Sequence, residues 1–197
     1  MPETQAAEPG ARAATRGPRL LPTTPRGALA WVGVIAAVTG LTALGLHLRH
    51  PPAFDEVGGW AAGVENRDLG DPLYVGMSYP HDDAEGTITI RSARANVVRD
   101  SADAEIAFYV CTIAPLTGVG AIGSGSEKDI QEYCDSLVPA VGATLRLDAQ
   151  PMQQVVMAVT LRQPGRVRVD GMDLGYTLGW RAGTQRIGGE VRVGHRE

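Results

Sequence analysis

The sequence predicts an all-β protein: an antiparallel sandwich of about seven to eight short strands with one short helix, preceded by a single membrane-spanning helix. Three observations carry this. Residues 27–46, GALAWVGVIAAVTGLTALGL, form a run of twenty positions without a charge. Beyond them, short stretches alternate polar and apolar side chains at the period of two that lays one face of a strand on a core. The 25 glycines and 13 prolines interrupt those stretches too often for long helices.

Charge divides the chain in the same places. Residues 1–26 carry Arg12, Arg16, Arg19 and Arg26 against Glu3 and Glu8, a balance of +2. Residues 53–197 carry 13 basic and 20 acidic side chains, a balance of -7. An acidic domain repels phosphate backbones, so nucleic acid is not an expected partner. The tail holds Pro2, Pro9, Pro18, Pro22 and Pro25 and too little apolar surface to build a core, so residues 1–26 are expected to be disordered.

A helix of twenty residues covers about 30 Å, the thickness of a bilayer's hydrocarbon. Four arginines precede the run and Arg49 alone follows it, beside His47 and His50. That excess places the N-terminus in the cytoplasm by the positive-inside rule. A buried core helix would show a polar face, and a cleaved signal would want a shorter core and a small-x-small site after Leu46. An uncleaved, single-pass signal-anchor in the plasma membrane fits length, flanks and charge. The pairs Gly33/Ala37 and Ala36/Gly40 have the spacing that lets two membrane helices approach closely, one route to membership of a larger membrane complex.

Residues 47–72, with Pro51, Pro52, Gly58, Gly59, Gly63 and Gly70, read as a stalk, and residues 73–197 as one extracytoplasmic domain. Strands are expected at Leu73–Tyr79, Thr87–Ile90, Ala95–Val98, Glu105–Ile113 and Ala143–Leu147. In the next, Val155, Met157, Val159 and Leu161 line one side, and in Arg166–Val169 the two valines face inward. Gln163-Pro164-Gly165 between those two suits a type II turn. Tyr176–Trp180 and Val191–Val193 complete the set, with Gly183 to Gly189 as a hairpin turn. One segment breaks the pattern: Ser126 to Asp129 resembles a capping box, Ile130, Tyr133, Cys134 and Leu137 share a helical face, and Pro139 stops the helix.

Cys111 and Cys134 are the only cysteines. Outside a cytoplasm such a pair reads as a disulfide, here joining a strand to the helix. No CxxC or Cys/His spacing favours a metal site. The disulfide and the anchor's orientation support each other.

The search for chemistry yields weak candidates. Gly118 to Gly123 spells G-x-G-x-x-G between a strand and a helix, but no βαβ unit surrounds it, so it reads as a loop. His81, Asp82, Asp83 and Glu85 gather metal-ligand side chains within five residues, yet contiguous spacing turns alternate side chains apart, and a solvated turn is the plainer reading. Tyr176 and Trp180, four apart on one strand, share a face and are the weak candidates for a ligand surface, though a buried position is the usual fate of sandwich aromatics. There is no G-x-S-x-G, and Ser124 and Ser126 have no histidine near them in the sequence. No catalytic set, no cofactor and no enzyme activity is expected.

The stretches Gln163–Met172 (QPGRVRVDGM) and Gly175–Gln185 (GYTLGWRAGTQ), together with the Arg-rich tail and single anchor, resemble the actinobacterial-type single-pass envelope proteins of unknown function with an immunoglobulin-like outer domain. The resemblance implies an immunoglobulin-like sandwich and an envelope location, and brings no catalytic residues with it. The expected function is a membrane-anchored, extracytoplasmic binding or interaction module, with an envelope protein or glycan as partner. The alternatives are a metal-dependent binder or enzyme using the His81–Glu85 cluster, and an accessory subunit of a membrane complex.

Overall fold

The computed structural model describes residues 25–49, 53–54, 60–78, 80, 83–115 and 120–195. The chain divides into two units, 1–43 and 44–197. Helix α1, Pro25–Arg49, carries the uncharged run and has no polar face, because Val, Leu, Ile and Ala fall on every side of it. Among the described residues no helix is long and apolar enough to cross a membrane. The tail up to residue 24 lies outside the described residues.

Among the described residues strands predominate, ten of them forming two five-stranded sheets. The first has the order β1 (Ala61–Val64), β10 (Arg181–His195), β9 (Gly165–Leu178), β3 (Thr87–Asp100) and β7 (Thr144–Arg146). The second has the order β5 (Ser124–Gly125), β2 (Leu73–Gly76), β8 (Gln153–Thr160), β4 (Glu105–Ile113) and β6 (Cys134–Pro139). All neighbours pair antiparallel except β1 with β10.

Between the sheets lies one core. Val155, Met157 and Val159 of β8 meet Ile88 and Ile90 of β3, Val167, Val169, Leu174 and Tyr176 of β9, and Val191 and Val193 of β10. The expected inward valines are therefore inward. Strand β8 departs from simple alternation, since residues 154–159 are all buried. Its second face is covered by a smaller cluster in which Val156 and Ala158 pack with Cys111, Ile122 and Ile130. Helix α2 and the loop before it supply that cover.

Helix α2, Glu127–Tyr133, opens on the expected capping box: the Ser126 hydroxyl accepts from the Asp129 N–H, and the Asp129 carboxylate accepts from the Ser126 N–H at 2.7 Å. It ends at Tyr133, well before Pro139. Residues 134–139 form β6, because pairing with β4 satisfies more backbone groups than another helical turn would. The disulfide joins Cys111 of β4 to Cys134 at the start of β6, so it links neighbouring strands of one sheet rather than a strand to a helix.

Three other expectations are corrected. Thr87–Ile90 and Ala95–Val98 form one strand, as do Arg166–Val169 and the first residues of Tyr176–Trp180. Gly171, at φ 67, and Gly188, at φ 84, sit at a bulge between β9 and β10 and kink the pair without ending it. Gly183 to Gly189 thus lies inside β10. The hairpin turn is Gly179–Trp180, with Gly179 at φ 59 as a type II′ turn requires. The segment 162–164 crosses from one sheet to the other. Gly165, at φ 153, is far from type II geometry and packs its Cα against the Ser101 carbonyl, where no Cβ fits.

The stalk region contributes to the sandwich. Ala53 and Phe54 are buried, and residues 61–64 pair with β10. Gln185 holds the first of these in place. Its side-chain oxygen accepts from the N–H groups of Ala53 and Phe54 and from the Tyr176 hydroxyl, and its amide donates to the Phe54 carbonyl at 2.7 Å. The Phe54 and Tyr176 rings meet edge to face at 5.9 Å.

Candidate functional site

The outer face of the first sheet carries a feature that one-dimensional reading does not reveal. Val167, Val169, Val191 and Val193 point into the core, so their neighbours Arg166, Arg168, Glu190 and Arg192 point out. Register then sets Gly63 of β1, Arg192 of β10, Arg168 of β9 and Arg99 of β3 opposite one another in a single row across four strands. With strands about 4.8 Å apart, three guanidinium-bearing positions fall within about 10 Å. Arg166 lies two residues along β9, opposite Gly194, and its Cγ passes 3.3 Å from where a Cβ on that glycine would sit.

These residues line a surface groove of about 420 Å³ together with Val64 and Glu65. Like charges directly opposite on neighbouring strands repel. Glu190 offsets part of this: it accepts from Arg168 Nη2 at 2.7 Å and from Arg192 Nε. Those hydrogen bonds, Arg192's first and Arg168's also, hold the Glu190 carboxyl below its ordinary pKa. Farther along the sheet, charges alternate instead. Asp173 lies in register between Arg94 and Arg186, and Arg186 reaches the Asp170 carboxylate at 2.9 Å. The row in which arginines stand directly opposite one another lies at the Arg99–Arg168–Arg192 end of the sheet. Among the described residues neither Arg99 nor Arg166 has a carboxylate partner.

The side chains singled out from sequence lie elsewhere. Cys111 and Cys134 are bonded, with Cα atoms 5.5 Å apart. Asp83 and Glu85 are exposed, and His81 and Asp82 lie outside the described residues. Among the described residues no three His, Cys, Asp or Glu side chains gather as a metal site. Tyr176 and Trp180 do not share a face. Tyr176 is buried on β9, where desolvation raises its phenol pKa, whereas Trp180 occupies the turn and is 80% exposed. A four-residue spacing shares a face only while the strand continues, and β9 ends at Leu178.

In the G-x-G-x-x-G segment, Gly118 and Val119 lie outside the described residues. Ile122 is tied down by Gln154, whose fully buried amide accepts from the Ile122 N–H at 2.8 Å and donates to its carbonyl at 3.2 Å. The segment leads into the antiparallel edge strand β5. The helix beyond is capped by its own Asp129, so the dinucleotide geometry is not formed.

Sequence reading missed the four arginines as a group. The R-V-R-V and V-R-V patterns announce outward arginines on two strands, but the register that aligns them with Arg99 is tertiary. Compared with protein-family models, curated proteins and solved structures, the chain matches none of them.

Proposed function

We propose that the chain is a single-pass membrane-anchored binding module, its N-terminus cytoplasmic and its β-sandwich presented outside the plasma membrane. The observation that carries this is α1. Trp31, Val32, Val34, Ile35, Val38, Leu41 and Leu44 are each more than half exposed and, at 100° per residue, surround the whole helix. Apolar side chains on every side of an uncharged run suit lipid as their solvent. Continuous helix from Pro25 to Arg49 exceeds the twenty residues a bilayer asks for. The Arg-rich tail supports the orientation, and the disulfide is consistent with an oxidising compartment.

The sandwich is proposed to be immunoglobulin-like. Support comes from two mainly antiparallel sheets around one core and from an edge strand paired in parallel with the last strand. Its disulfide lies within one sheet, which departs from the inter-sheet bridge of antibody domains.

Alkaline carbonate extraction of membranes expressing the full chain, followed by protease treatment of intact cells, tests the reading. The chain should stay in the membrane pellet, and external protease should remove the β domain. Release by carbonate refutes the anchor. Digestion only after the cells are opened refutes the orientation.

A further inference from the structure

We propose that the arginine groove between β1, β10, β9 and β3 is a binding site for a linear polyanion, a chain bearing phosphate or carboxylate groups at short intervals. This names a ligand class for the binding module inferred above and rests on that reading.

The charge pattern comes first. Residues 53–197 carry a balance of -7, yet Arg99, Arg166, Arg168 and Arg192 gather in one groove where, among the described residues, the nearby carboxylates are Glu65 and Glu190. Three of the arginines stand opposite one another across neighbouring strands, an arrangement that weakens a sheet unless a counterion is supplied. Farther along the sheet one such counterion is internal, with Asp173 in register between Arg94 and Arg186. At the groove it is incomplete, because Glu190 serves both Arg168 and Arg192 while Arg99 and Arg166 have no carboxylate among the described residues.

Shape selects among anions. The row runs across the strands, so successive positive charges are separated by the strand spacing of about 4.8 Å, and a chain laid along it meets one guanidinium after another. Gly63 at the row's end and Gly194 beneath the Arg166 stem remove two side chains that would otherwise fill the concavity. The arginines line a hollow of about 420 Å³ rather than a crest, so a single chain reaches them and a flat headgroup layer does not. Arg168 and Arg192 keep side-chain exposures of 48% and 65%, leaving donors free beyond Glu190. A guanidinium offers paired N–H donors to either phosphate or carboxylate, and neutralising a polyanion releases its condensed counterions.

The test uses the full chain in a neutral detergent at low salt, with inorganic polyphosphate as probe and calorimetric titration as readout. Polyphosphate should bind, and its affinity should fall steeply with added salt. The double variant Arg99→Gln/Arg166→Gln should lose at least tenfold in affinity and lower the salt slope by about 2, one for each arginine removed. Its melting temperature should hold, since among the described residues neither side chain has an ion-pair partner to lose. The charge-matched variant Arg91→Gln/Arg146→Gln, remote from the groove, should lose less than about threefold. The proposal is overturned by any of four results: no polyphosphate binding, equal losses in the two variants, orthophosphate binding as tightly as the polymer, or anionic phosphatidylglycerol vesicles binding through the same arginines where polyphosphate does not. None of these bears on carbonate extraction, so the groove and the anchor stand or fall separately.

Discussion

Replacing Gln154 by leucine should destabilise the domain through one residue of the loop before α2. The side chain is fully buried in β8, and its two hydrogen bonds go to the N–H and carbonyl of the same residue, Ile122. Leucine keeps the approximate volume and removes both partners at once. Each buried backbone group so orphaned costs about 1–3 kcal/mol, and the apolar replacement returns about 1 kcal/mol, leaving a loss of about 1–5 kcal/mol. For a domain of this size, at about 3 °C per kcal/mol, that corresponds to a fall in melting temperature of about 3–15 °C. Thermal unfolding of the full chain in detergent reads the global effect, and hydrogen exchange at the Ile122 amide reads the local one. If the loop detaches before the sandwich unfolds, exchange at Ile122 accelerates ahead of the melting transition. A melting temperature within about 2 °C of the parent, with Ile122 protection unchanged, would refute the reasoning. Gly76→Ala should act on the same junction, because the added Cβ would overlap the Ile122 carbonyl and the Gln154 amide.

Three further outcomes follow from the packing. Replacing both Cys111 and Cys134 by alanine opens a link between residues 23 positions apart, an expected loss of about 3 kcal/mol that denaturant unfolding would register; an unchanged midpoint contradicts it. Gln185→Ala should cost about 2–3 kcal/mol and expose the chain near residue 54 to limited proteolysis, whereas Tyr176→Phe, which removes one of the contacts, should cost about 1 kcal/mol with no new cleavage. Asp129 is held below its ordinary pKa, first by the Ser126 N–H and then by the Ser126 hydroxyl. A depressed carboxyl contributes stability that is present above the unfolded value and lost as pH falls through the folded one, so the cap should weaken below about pH 4. Ser126→Ala should move the Asp129 carboxyl titration upward in NMR, and no movement would remove the hydroxyl from the account.

Much of the sandwich was legible because a half-buried strand writes its burial into every second residue. Glu105–Ile113 has the bounds expected, Val167 and Val169 face inward, and the capping box at Ser126 is formed. The errors have a common cause: a short motif admits more than one continuation. Arg166–Val169 and Tyr176–Trp180 read as two strands, but between them Gly171 sits at a bulge and Gly175 packs against Ser92, where a side chain would not fit, so the strand runs on. Cys134 to Pro139 fits a helical face as well as a strand, and pairing with β4 decides between them. Trp180 was placed beside Tyr176 because Gly179 was read as strand, whereas its positive φ turns the chain.

By itself the sequence determined the uncharged run, the asymmetric charge around it, the β class of the remainder and the pairing of its two cysteines. Each of these is local, or follows from counting, and depends on no register. The tertiary structure alone decided that β8 is buried on both faces, that Gln185 fastens Phe54 to Tyr176, and that Arg99, Arg168 and Arg192 share a row. Each of these brings together residues from separate strands, and the register aligning such strands comes from the whole core closing at once. The proposed anchor is therefore written in a contiguous stretch of the chain, while the proposed binding groove exists only after folding.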